Sequence, residues 1–173
     1  MAALKSRHSD IEAFLTALNP SGQAYYGAHK EDAFTCGSPT LNVVDAAYGN
    51  NAAVQWLMPQ LYAVGEYAGV RDKMDEAQTL ELARTIRAHY GYLTVTELML
   101  FFSNLKAGRY GKFYGAVDPL VITEAIASSF LAERERWLQK AESERREREQ
   151  AEQRKNTITY EQFLKLKQSN GED

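Results

Sequence analysis

The segment from Thr94 to Leu105 constrains this chain more than any other. Thr94, with Glu97 three residues on, forms a capping box in which hydroxyl and carboxylate satisfy backbone N–H groups left free at a helix start. The helix it opens carries Val95, Leu98, Met99, Leu100, Phe101, Phe102 and Leu105, so it is apolar nearly all round rather than along one stripe. Such a helix must be covered on every side, at the centre of a bundle or in an oligomer interface. The expected fold is therefore all-α, a compact orthogonal helical bundle arranged around this segment.

The flanking punctuation is also helical. Ser9 with Glu12 reads as a capping box for a short helix ending near Leu18, before Asn19 and Pro20. From there to Pro39 the glycines 22, 27 and 37 and the pair Tyr25-Tyr26 follow no period, which predicts a long surface loop. Residues 40–48 suit a short helix stopped by Gly49-Asn50, and Val54, Leu57, Met58 and Leu61 then build a helical stripe. Pro59 interrupts that stripe and predicts a kink. Asp75 with Gln78 opens a helix bearing Leu82, Ile86 and Tyr90 and closing at Gly91. Asp118-Pro119 starts another, with an acceptor at the cap and proline where its missing N–H costs nothing.

Ile122, Ile126, Phe130 and Trp137 extend a core face along that last helix, and past Ala141 the apolar face ends. Residues 133–155 hold eight bases and seven acids, with Glu142 and Arg146, and Glu144 and Arg148, one turn apart. A helix continuing to Lys155 would be about 55 Å long at roughly 1.5 Å per residue and should project from the bundle toward the C-terminus. Heptad leucines are absent, so a solvated single helix is expected rather than a coiled coil. Thr159 with Gln162 caps a last short helix carrying Phe163 and Leu166, with a disordered tail after Gln168. The division expected is residues 1–39 as a short helix and loop, 40–141 as the helical core, 142–155 as a charged extension, and 156–173 as a short helix and tail.

Composition bounds the chemistry. At 173 residues, with 45% hydrophobic and 25% charged residues, the chain is of globular type and large enough to fold without disulfides or metals. The single cysteine, Cys36, is expected to be a partly buried thiol in a reducing cytoplasm, and no apolar run approaches the roughly 20 residues of a membrane span. His8, His29 and His89 are isolated from one another, and none has a second histidine at metal-ligand spacing, so no metal site is expected. No phosphate-loop, dinucleotide, kinase or nucleophile-elbow pattern occurs, so neither a cofactor nor an enzyme activity is expected.

One segment stands apart. The ten residues from Lys106 to Gly115 contain Lys106, Arg109 and Lys112, the rings of Tyr110, Phe113 and Tyr114, three glycines and no acid. Bases neutralise phosphates, aromatic faces stack on nucleobases and glycines admit close backbone approach. The competing expectation is that Gly108 ends the preceding helix, the cations are solvated and the three rings tuck into the core. The net charge of −3 limits the first reading, because residues 1–132 alone hold ten bases and thirteen acids. Ten tyrosines favour a binding protein over a catalyst.

The runs Tyr92 to Phe102, Lys106 to Gly115 and Val117 to Leu120, with Ala53-Val54, Trp56-Leu57, Gly69-Val70 and Asp72 to Met74 upstream, resemble a family of short bacterial proteins of unknown function. That family occurs largely in gut commensal genomes and mobile elements, and it implies no activity. A looser likeness is to helical phage replication accessory proteins, although any nucleotide-binding loop is absent. The expected function is a non-catalytic protein-interaction or assembly component, with a protein partner or self-association and no membrane. The alternative is a nucleic-acid-binding accessory protein using Lys106, Arg109, Tyr110, Lys112, Phe113 and Tyr114.

Overall fold

The computed structural model describes residues 2–49, 51–156 and 165. It divides into two units, Met1–Ala132 and Glu133–Asp173. Residues of the first form an all-α bundle: α1 (Ala2–Arg7), α2 (Ile11–Ala17), α3 (Gly22–Ala28), α4 (Lys30–Thr35), α5 (Leu41–Tyr48), α6 (Ala52–Ala68), α7 (Glu76–Tyr90), α8 (Val95–Lys106) and α9 (Pro119–Glu124), then a π-helical turn (Ala125–Phe130). The long α10 (Leu131–Asn156) contains the division between units. Among the described residues extended pairing is confined to two isolated bridges, Thr40 with Thr94 and Asp72 with Ala116.

The Thr94 capping box forms as expected: Thr94 Oγ1 accepts from Glu97 N, and the Glu97 carboxylate accepts from Thr94 N at 2.8 Å. Behind it, ten of the twelve residues of α8 are buried. Their cover comes from α3, α4, α6 and the π-helical turn of the same chain, so an oligomer interface is not needed to explain the apolar surface. The Asp75–Gln78 box and the Asp118 cap are also in place. Ile122, Ile126 and Phe130 are fully buried, whereas Trp137 belongs to the second unit and is only partly covered.

Residues 20–39 correct the sequence expectation, because α3 and α4 replace the long loop. Their glycines are contact points rather than breaks. At Gly27 an added Cβ would sit 3.0 Å from Ser103 Cβ, so the missing side chain lets α3 lie against α8. Gln23, in the same helix, is buried and donates from Nε2 to Gln60 Oε1 at 2.7 Å. Gln60 Nε2 and Trp56 Nε1 in turn donate to Leu18 O, tying the end of α2 to α6. Asp10, not Ser9, is the cap of α2, accepting from Ala13 N at 2.8 Å. Helix α6 runs on through Pro59.

A half-buried ion pair links α5 to α7. Asp45, its side chain 4% exposed, accepts from Arg87 Nε at 2.6 Å and from Ala53 N at the start of α6. The pairs of the second unit lie instead along the exposed face of one helix. Glu142 and Arg146 meet at 2.9 Å and Glu144 and Arg148 at 3.9 Å, and Lys140 Nζ stands 5.4 Å from the Trp137 ring centre. The expected Thr159–Gln162 cap, the helix with Phe163 and Leu166, and the tail lie outside the described residues. Among the described residues no helix is long and apolar enough to cross a membrane.

Candidate functional site

The loop after α8 begins with a helix stop of defined geometry. Gly108 takes φ +71°, its N–H donates to Leu105 O, and Arg109 N–H reaches back to Asn104 O, both at 3.0 Å. This pair of bonds closes the last carbonyls of α8 in a Schellman arrangement, for which glycine is the unstrained residue. The turn carries Tyr110 back over the helix, where its ring stacks on Phe101 with centroids 5.5 Å apart and planes within 15°. Asn104 Nδ2 donates to its hydroxyl at 3.0 Å. Phe113 also packs against the core, while Tyr114 is 86% exposed.

The expectation that the rings tuck into the core holds for Tyr110 and Phe113 but not for Tyr114. Tyr110 and Phe113 are packing groups, which removes two of three stacking surfaces from the nucleic-acid reading. Arg109, Lys112 and Tyr114 face solvent. Among the described residues, none of Lys106, Arg109 and Lys112 has a carboxylate partner, whereas Lys73 pairs with Glu66 at 2.8 Å. The far end of the loop is fastened to the α6–α7 connection: Asp72 N donates to Gly115 O and Val117 N to Asp72 O. Asp118 then uses its carboxylate on Leu120 N at 2.8 Å.

Between this loop and the end of α6 lies a pocket of about 240 Å³, lined by Val64, Tyr67, Lys106, Gly108, Lys112 and Phe113 among others. Lys106 Nζ stands 5.8 Å from the Tyr67 ring centre, in cation–π range. Partial burial pushes its ammonium below the usual lysine pKa. The pocket therefore gathers Lys106, Lys112 and Phe113 of the six expected residues; Arg109, Tyr110 and Tyr114 are not part of its lining. It adds Val64 and Tyr67, whose only sequence signal is that they continue the stripe of Leu57 and Leu61 by one more turn.

A second concavity of about 630 Å³ runs between α7 and α9. Leu82, Tyr90, Pro119 and Leu120 give it apolar surface, and Glu81 and His89 are among its polar lining. Leu120 is 74% exposed, an unusual setting for a leucine beside a concave surface. Here too the sequence hid the feature, because Leu120 follows the cap and proline immediately and falls outside the buried Ile122–Ile126 stripe.

Elsewhere the titratable groups are dispersed. Tyr25 stacks on His29 and donates its hydroxyl to Asp32 at 2.6 Å, which raises the phenol pKa. Cys36 is exposed, not partly buried as expected, with Sγ 3.5 Å from Thr96 Oγ1. Among the described residues no three His, Cys, Asp or Glu side chains come together as a metal cluster.

Residues 73–172 match DUF6633, a family of unknown function, over more than half of the chain. The chain belongs to DUF6633. The DUF6633 match takes in α7, α8, the cationic loop, α9 and α10, so the α7–α9 groove and Lys106, Lys112 and Phe113 all lie within it. Val64 and Tyr67 precede the match, as do Ala53-Val54 and Trp56-Leu57 of the sequence resemblance. No curated protein and no solved structure matches the chain.

Proposed function

We propose that this protein is a non-catalytic binding module of the cytoplasm, whose α7–α9 groove receives an amphipathic helix from a protein partner. The observation that carries the proposal is the groove itself: apolar surface from Leu82, Tyr90, Pro119 and Leu120, with Leu120 largely exposed. Apolar surface beside Gln78, Glu81, Thr85, His89 and Thr123 is the arrangement that helix-in-groove recognition uses. The bundle buries every apolar residue of α8, so the groove is apolar surface left over after folding rather than a gap in the core. The setting proposed is bacterial, in commensal genomes and their mobile elements, as the sequence resemblance implies.

Selection of a displayed library of helical peptides on the full chain tests this. Enriched sequences should repeat apolar residues at i, i+3 or i+4, and i+7, and Leu120→Glu should abolish their binding while leaving the circular dichroism melt unchanged. Failure to enrich such peptides, or enrichment indifferent to Leu120→Glu, overturns the proposal. Sedimentation of the chain alone separates self-association from a foreign partner.

A second reading, a nucleic-acid-binding accessory protein of mobile-element or phage replication type, is favoured by one observation. Arg109, Lys112 and Tyr114 stand exposed on a segment without acids. It requires binding of single-stranded or duplex DNA at about 50 mM salt that weakens steeply as salt rises. Binding unchanged in an Arg109→Ala, Lys112→Ala variant would sink it.

A further inference from the structure

We propose that the pocket between the end of α6 and the loop after α8 binds a nucleoside monophosphate, its phosphate held by Lys106 and Lys112 and its base laid against Tyr67. This inference is independent of the α7–α9 groove, and it differs from the nucleic-acid reading in taking a small molecule rather than a polymer.

Several observations converge on it. Lys106 and Lys112 line one pocket, and neither has a carboxylate partner among the described residues, so their charge is left for a ligand. A phosphate monoester carries about −1.5 to −2 at pH 7, a close match to two ammonium groups. Lys106 is already partly stripped of water beside Tyr67, so an incoming anion restores favourable interaction to a charge that burial has disfavoured.

The backbone leaves room as well. Gly111, at φ +111° with open space where a Cβ would be, lets a ligand approach the loop.

Tyr67 provides the second half of the site. It is 66% exposed although it lines the pocket, so its ring offers a face on which a heterocycle can stack. Size then limits what the pocket encloses. A cavity of about 240 Å³ lies below the range of about 300 Å³ and upward that holds drug-sized molecules whole. A phosphate group is small enough for such a space, which leaves the base to the exposed tyrosine.

Calorimetric titration of the full chain with adenosine monophosphate, adenosine, inorganic phosphate and an unphosphorylated oligothymidylate decides the matter. Adenosine monophosphate should bind once per chain, with adenosine and inorganic phosphate each weaker by about tenfold or more. Lys112→Gln, an exposed change that leaves the fold intact, should weaken adenosine monophosphate by about tenfold, and Lys106→Gln by at least as much. Tyr67→Leu should weaken adenosine monophosphate severalfold while leaving inorganic phosphate unchanged, a split that loss of fold does not produce. Leu120→Glu should alter none of these values, so failure of the groove proposal and failure of this one are distinguishable. No binding of adenosine monophosphate at about 10 mM, binding indifferent to Lys112→Gln, or binding of the oligothymidylate alone would each overturn the assignment.

Discussion

Helices α8 and α10 have the same backbone and opposite origins. Ten of the twelve residues of α8 are buried, and its ends are closed by a capping box and a Schellman turn. No described side chain of α10 is fully buried, and its surface is a ladder of Glu–Arg and Glu–Lys pairs one turn apart. The first is held by tertiary packing and the second by local propensity and exposed ion pairs, each worth only a few tenths of a kcal/mol in general. Helical content alone therefore says little about where stability or binding resides in this chain.

The sharpest way to break the comparison is to remove a ring from α8. Phe101 contacts Phe102, Tyr110 and Phe130, with ring centres 5.3 to 5.5 Å away. Phe101→Ala should lower unfolding free energy by about 3–5 kcal/mol in a urea titration. A loss below about 1 kcal/mol would mean α8 is not the centre of the cooperative unit. Next in size is the pair of Arg87 and Asp45. Arg87→Ala leaves the buried Asp45 carboxylate with the Ala53 N–H alone and should cost about 1.5–3 kcal/mol in the same titration.

Gly27→Ala tests how closely α3 is seated on α8. The added methyl would meet Ser103 Cβ at 3.0 Å, and about 1–3 kcal/mol of overpacking is expected in the same titration. A stabilised variant would show that α3 has room to move. The smallest effect belongs to α10. The hydrogen bond from Arg146 and the charge of Arg145 hold the Glu142 carboxyl below its usual pKa. A carboxyl with a lowered folded value stabilises above its unfolded pKa of about 4.3 and loses that contribution as pH falls through the lowered value. Helicity read by circular dichroism should therefore fall slightly between about pH 5 and 3, and Glu142→Gln should remove that part of the titration.

What could be read from the sequence was local. Thr94 with Glu97, Asp75 with Gln78, and Asp118 with Pro119 each mark a helix start by bonds spanning two or three residues, so their structures match the sequence closely. The misses depend on partners far away in the chain. Gly22 and Gly27 look like loop residues until α8 is present to pack against, and Gln23 looks like a surface amide until Gln60 meets it. In the candidate site, the sequence marked the cationic loop but not which rings were free. Tyr110 is claimed by Phe101 and Asn104, and Tyr67 enters from a helix some forty residues earlier. Leu120 went unnoticed for the opposite reason, since only a finished bundle shows that it has been left uncovered.

The short bridge between Asp72 and residues 115–117 has a consequence for the order of assembly. It joins positions about 45 apart in sequence, so its two hydrogen bonds can form only after the chain has closed a large loop around α7 and α8. The walls of the Lys106 pocket come from both sides of that closure. Folding kinetics followed through Tyr67 should accordingly lag behind those followed through the Thr94 end of α8, making the pocket one of the last parts of the bundle to exist.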